Sequence, residues 1–424
     1  MVMYKKTKLK NGARVIKVQN KNTETATVMA LFKVGSRDEK KGTEGIAHFL
    51  EHMFFKGTEK RQTATEISKE LDAVGASHNA FTGKEYTGFW AKTGKKDFVL
   101  ALDVISDMLL NSKFDSKEID VERDPILEEI NMYEDAPMRN ISSIFENTLY
   151  TEHGLGHDQL GSSENVRSFS RKNLLNFYKK YYTAENLVIV ISGNFNEKKT
   201  DEKIEELFAP FERAEKENVR TKVVEKQKAP EIFLKYKKTD QTNFSLGFRA
   251  FETGNEDEYV LDVLNVILGG NSSSRLYENV REKEGLAYYI YSYTCDYQDA
   301  GYFAIQSGVG NDKCEKAIEI LLKEIRRIKT EKVSEDEIRR AKSYIKGRMD
   351  IGLESSSAVA DFVAIQEIST GKILTPEEKF DKINSVTTED LERVARKIFI
   401  NEKLNLAIIG PFRDKKKFEK LLKI

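Results

Sequence analysis

The chain repeats itself with a period near half its length. Residues 180–195 (KYYTAENLVIVISGNF) are echoed by residues 397–412 (KIFINEKLNLAIIGPF), and in each a helix end passes into a β-branched strand that stops at a glycine. A charged helix is expected after each, over 197–207 and 414–422. Nearer the start of each half, the strand-like stretch 27–35 (TVMALFKVG) resembles 243–251 (NFSLGFRAF). A chain of 424 residues is too long for one ordinary core. Residues 212–228, rich in Lys and Glu with few large apolar side chains, read as an exposed linker. The expected architecture is two similar α+β domains, residues 1–212 and 229–424, joined by a linker at 213–228.

The echo fails at one place. His48-Phe49-Leu50-Glu51-His52 sets two imidazoles one helical turn apart, with a carboxylate beside the second. Residues four apart share a helix face, so His48 and His52 can bind one metal ion while Glu51 points toward the same site. The flanking Ile46, Ala47, Phe49, Leu50, Met53, Phe54 and Phe55 would bury these groups, at a cost on the order of several kcal/mol unless a cation pairs with them. A core helix holding two satisfied histidines is the bland alternative. The spacing around a glutamate, in a chain with only five histidines, favours the metal. The pattern H-x-x-E-H reverses the commoner H-E-x-x-H and belongs with the zinc-peptidase motifs. The same offset in the second half falls near Leu264 and Leu268, in an apolar helix without ligands.

Composition narrows the classes of partner. Lys+Arg and Asp+Glu number 69 each, so the overall balance calls for neither nucleic acid nor an anionic membrane. Residues 1–10 carry positive charges with no apolar segment behind them, and no run of about 18 apolar residues occurs. Cys295 and Cys314 are too widely spaced for a C-x-x-C motif and too few for a disulfide framework. A reduced, cytoplasmic setting is the expectation. A G-x-S-x-G elbow, a Walker P-loop and a G-x-G-x-x-G after a strand are all missing.

A hydrolytic zinc site needs a third ligand, and the best candidate lies in a helix expected over 116–130, with Asp115 and Glu118 as its capping box. Glu122 and Glu129 are seven apart and fall within roughly 20° of each other on one face, whereas Glu128 points elsewhere. A solvated charged face would also account for these carboxylates. Pro125 lies between the two, and a kink there would shift Glu122 relative to Glu129.

These motifs resemble the pitrilysin-type zinc peptidases, the M16 inverzincins that include the mitochondrial processing peptidase and insulin-degrading enzyme. The resemblance covers essentially the whole chain, and the single two-domain unit is similar to the processing-peptidase branch. It implies a clamshell of two homologous α/β-sandwich domains of the LuxS/metallohydrolase-like type. It also implies one zinc per chain on His48, His52 and Glu129, with Glu122 supporting the site from behind. Glu51 is implied as general base, and Arg281 and Tyr288, from the segment 272–288, as groups that bind the substrate carbonyl and its oxyanion. Asn79, Ala80 and Phe81 match an edge strand that pairs with an extended peptide. His78 is read as no ligand, because a catalytic zinc keeps its fourth position for water.

The implied activity is zinc-dependent endopeptidase action on unfolded or extended segments. The alternative is a non-catalytic peptide-binding or scaffold subunit of a two-chain complex. An intact ligand set makes a homodimer the first expectation for the assembly, with a heterodimer of related subunits the other arrangement. Where the mitochondrial enzyme carries carboxylates for basic presequences, this chain has residues 138–143 (MRNISS), which do not provide for arginine-directed processing. The glycines at 269–270 resemble a shortened form of the glycine-rich loop of the mitochondrial regulatory subunit.

Overall fold

Strands that are largely apolar on both faces need cover on both faces of their sheet. Leu187–Gly193 and Leu404–Gly410 are of this kind and are buried along their whole length. The computed structural model describes residues 3–214 and 219–424, so residues 215–218 of the expected linker lie outside the described residues. It has two compact units, each a mixed α/β layer structure around one sheet.

The first unit comprises the residues up to Asn131, His157–Thr221 and Asp350–Thr375. Its strands are β1 (Lys5–Lys8), β2 (Arg14–Gln19), β3 (Thr25–Phe32), β4 (Ser77–Thr82), β5 (Thr87–Gly94) and β6 (Leu187–Gly193). They run in the order β1-β2-β6-β3-β5-β4, with β2 parallel to β6 and the other pairs antiparallel. One face carries the main core, in which Phe49, Leu50, Phe54 and Phe89 join Leu102 and Ile105 of the helix Phe98–Asn111. The opposite face packs Ile16, Met29, Leu31, Val188 and Val190 against Ala360, Val363 and Ala364 of the helix Ser356–Thr370.

The second unit comprises Met132–Gly156, Lys222–Met349 and Pro376–Ile424. Its strands are β7 (Glu231–Tyr236), β8 (Gln241–Arg249), β9 (Ala287–Tyr297), β10 (Ala300–Gly310) and β11 (Leu404–Gly410), in the order β7-β11-β8-β10-β9. This repeats the arrangement β2-β6-β3-β5-β4 of the first unit, down to the one parallel pair, β7 with β11. The main core lies on one face. The other is covered by Ile141, Phe145 and Leu149 of the helix Pro137–Tyr150, which meet Tyr302, Ala304, Ala407 and Ile409.

The compact units therefore do not follow a single cut in the chain. Both central sheets require a covering helix, and each unit takes it from the other half of the sequence: Ser356–Thr370 covers the first sheet and Pro137–Tyr150 the second. Nothing in the linear division at 213–228 signals this exchange, because an amphipathic helix does not specify which apolar face it meets. The charged helix expected over 414–422 is much shorter, spanning only Lys416–Glu419, whereas its counterpart runs Glu197–Phe208. Both cysteines are free thiols. Among the described residues, no helix is long and apolar enough to cross a membrane.

Candidate functional site

The histidine motif forms the helix Ile46–Met53, anchored by Ile46, Ala47, Phe49, Leu50 and Met53 in the core of the first unit. Its N-cap is Gly45, which has no side chain to cap with. Glu39 does that work from upstream, accepting the N–H groups of Gly45 (2.9 Å) and Ala47 (2.8 Å). Gly45 itself is obligatory: its φ is +94°, and a Cβ would lie 2.5 Å from the Leu160 carbonyl oxygen. The second glutamate-bearing helix, Ser116–Glu134, runs unbroken through Pro125. At its start Asp115 accepts the N–H of Lys117 at 2.8 Å.

Three donor atoms converge between these helices. His48 Nε2 and His52 Nε2 are 3.2 Å apart, and Glu129 Oε2 lies 3.5 Å from the first and 3.6 Å from the second. Among the described residues, these three are the group of metal-ligand type brought together in this way. Ligand atoms around a tetrahedral zinc with bonds of about 2.0–2.1 Å are spaced by about 3.3 Å, so the donor set fits such an ion in chemistry and in spacing. Glu122 Oε1 lies 2.8 Å from His52 Nδ1 and is itself ion-paired with Lys56. The continuous helix thus keeps Glu122 in place despite Pro125. His48 Nδ1 is buried without a hydrogen-bond partner. His78 is not part of the cluster; its ring lies near that of Phe55.

The electrostatics favour a cation. Burial, together with the neighbouring His52, pushes His48 down to about 4, which favours its neutral form. Burial opposes charge on His52 too, but its bonds to Glu122 and Glu129 outweigh this and lift it to about 9. The bond to His52 holds Glu129 below the usual carboxylate range. At 3.2 Å the two Nε2 atoms cannot face each other with both lone pairs bare, so either a shared proton or a cation must lie between them. Glu51 is raised by burial, tempered by the hydroxyl of Thr82, which donates to Glu51 Oε2 at 2.6 Å.

The other expected site residues are distributed as follows. β4 is the terminal strand of its sheet, and the exposed Asn79 turns its Oδ1 onto the Ala80 N–H at 2.9 Å. Ala80 is buried, and Phe81 packs edge-on against Tyr86. Arg281 and Tyr288 belong to the second unit. Arg281 is exposed, with its guanidinium 4.9 Å from the Tyr277 ring centroid, and Tyr288, at the start of β9, is 60% exposed. Three residues escaped the sequence reading: Glu39, Lys56 and Thr82. A helix beginning at glycine with an acid shortly before it was a usable sign for Glu39. Lys56, four residues past His52, was another. Thr82 carries no local sign, because its contact depends on where β4 lies against the motif helix.

Residues 14–162 match the family described as Insulinase (Peptidase family M16), and residues 168–345 match the Peptidase M16 inactive domain. The chain is 35% identical to Uncharacterized zinc protease YmxG of Bacillus subtilis, over 96% of this chain and 98% of that protein. It is 34% identical to a Streptomyces coelicolor protein also named an uncharacterized zinc protease, over 97% and 90% of the two chains. Among solved structures, a protease from Helicobacter pylori superposes with a TM-score of 0.91 at 24% identity, covering 97% of this chain and all (100%) of that one. A Pseudomonas fluorescens structure described as a peptidase M16 inactive domain has a TM-score of 0.89 at 18% identity, over 98% and 99%. These two likenesses concern the fold.

Proposed function

Because the chain belongs to peptidase family M16, we propose that it is a zinc-dependent endopeptidase acting on extended, unfolded peptide segments, with one zinc on His48, His52 and Glu129 and with Glu51 as general base. The observation that carries this reading is the convergence of His48 Nε2, His52 Nε2 and Glu129 Oε2 at separations of 3.2, 3.5 and 3.6 Å, with the Glu51 carboxylate on the same helix. Zinc, when bound, supplies Lewis acidity that activates water and polarises the scissile carbonyl. Glu122 accepts a hydrogen bond from the Nδ1–H of His52, so that the Nε2 lone pair is the one that would be offered to the metal, and Lys56 balances the charge of Glu122. Glu51 accepts the proton of the attacking water and returns it to the leaving amine nitrogen. Asn79, Ala80 and Phe81 lie on β4, the strand assigned to the substrate main chain.

The match to a domain described as inactive falls on residues 168–345, which contain none of the three ligands. It agrees with a division of labour in which that half contributes something other than metal. Arg281 and Tyr288 are assigned the substrate carbonyl and its developing oxyanion. Arg281→Ala and Tyr288→Phe are expected to lower kcat by about 10- to 1,000-fold with zinc content unchanged. Metal analysis beside steady-state kinetics checks this, and loss of zinc on either change would make the residue structural. The proposed assembly is a homodimer, to be measured by sedimentation.

Cleavage of a quenched, unstructured peptide library tests the function itself, with zinc measured on the same sample and a chelation and restoration control. The expected result is about one zinc per chain, chelator-sensitive cleavage, and faster cutting of an unfolded protein than of its native form. Stoichiometric zinc without cleavage would support the non-catalytic, peptide-binding subunit instead.

A further inference from the structure

Thr82 ends β4, and side chains alternate along a strand, so it shares a face with Ala80 and His78. That face lies on the motif helix and the turn after it: Ala80 is buried, and the His78 ring is 6.5 Å from that of Phe55, two residues past the helix end. Thr82 Oγ1 donates to Glu51 Oε2 at 2.6 Å, a short bond to a half-buried carboxylate. Glu51 has three side-chain torsions, and the helix backbone alone does not fix where its carboxylate points. The hydroxyl engages Oε2 and so anchors the carboxylate through one of its oxygens, leaving lone pairs on the group to receive a proton.

We propose that Thr82 is a positioning residue for the general base: its hydroxyl fixes the Glu51 carboxylate and ties the base to the strand assigned to the substrate main chain. The inference rests on the reading of Glu51 as base. It adds a physical link between peptide docking and proton transfer, because a peptide that adds to β4 settles on the strand whose last residue orients Glu51. Thr82 touches neither substrate nor metal in this role and acts only through Glu51.

The test compares Thr82→Val, which keeps the β-branched shape and deletes the hydroxyl, with Thr82→Ala and with Thr82→Ser, which keeps the hydroxyl. The expected result is a fall in kcat of about 10- to 100-fold for the Val and Ala variants, with KM within about twofold and zinc content and melting temperature unchanged. The Ser variant should recover most of kcat. A crystal structure of the zinc-free Val variant should show the Glu51 carboxylate turned away from its wild-type position, a readout independent of turnover. The proposal is overturned by an unchanged kcat, by a loss confined to KM, by a Ser variant as slow as the Val variant, or by an unmoved Glu51. Failure of the parent reading is separable, because it would show as a Glu51→Gln enzyme that still cuts peptide.

Discussion

Glu51→Gln is expected to retain zinc at the wild-type level and to lose peptide cleavage by about 100- to 10,000-fold in kcat, the usual range for a positioned general base. The substitution is nearly isosteric, and the amide oxygen can still accept the Thr82 hydroxyl. The proposed ligands His48, His52 and Glu129 are untouched by it. Burial disfavours the Glu51 carboxylate and raises its pKa, so a neutral amide at this position should leave the fold at least as stable as before. What disappears is only the capacity to hold a proton between water and the leaving amine. Steady-state cleavage of a quenched peptide, metal analysis and a melting curve on one preparation check all three statements. Near-normal cleavage by this variant would remove Glu51 from the role.

The second large effect concerns the ligands. His48→Ala, His52→Ala and Glu129→Ala are each expected to abolish stoichiometric zinc and with it detectable cleavage, and added zinc should not restore them. Chelation of the wild-type protein should abolish cleavage reversibly. It should also lower the melting temperature of the first unit, since a metal that binds only the folded state stabilises it by about 4 kcal/mol when present at a thousand times its Kd. In the three variants the chelator should change nothing. His52→Ala carries an additional cost, because it strips the buried Glu122 of one of its two partners and leaves Lys56 as the other. It should therefore be the least stable of the three. Calorimetry with and without chelator measures this, and a wild-type melting curve indifferent to chelation would count against a metal at these residues.

Local periodicity made much of this protein legible. The strand Leu187–Gly193 and its echo Leu404–Gly410 were readable because a short, largely apolar run that stops at a glycine has few other uses. His48 and His52 were readable because four residues bring two side chains to one helix face whatever surrounds them. Glu122 and Glu129 share a face for a related reason, one helical repeat of seven, and the structure keeps both beside the histidines without a break at Pro125.

Contacts between elements were not legible. The carboxylate of Glu39 caps a helix that begins seven residues later, and Thr82 meets Glu51 across 31 positions of sequence. The largest omission is the exchange of covering helices, Pro137–Tyr150 and Ser356–Thr370. The sequence by itself determined most of the elements, their repetition and the shared faces of His48 with His52 and of Glu122 with Glu129, since each follows from the geometry of a single helix or strand. Only the tertiary structure decided which sheet each covering helix closes, how the motif helix is capped and where the Glu51 carboxylate points. Apolar burial is non-directional, and a hydrogen bond between distant elements exists only once packing has brought its two partners together.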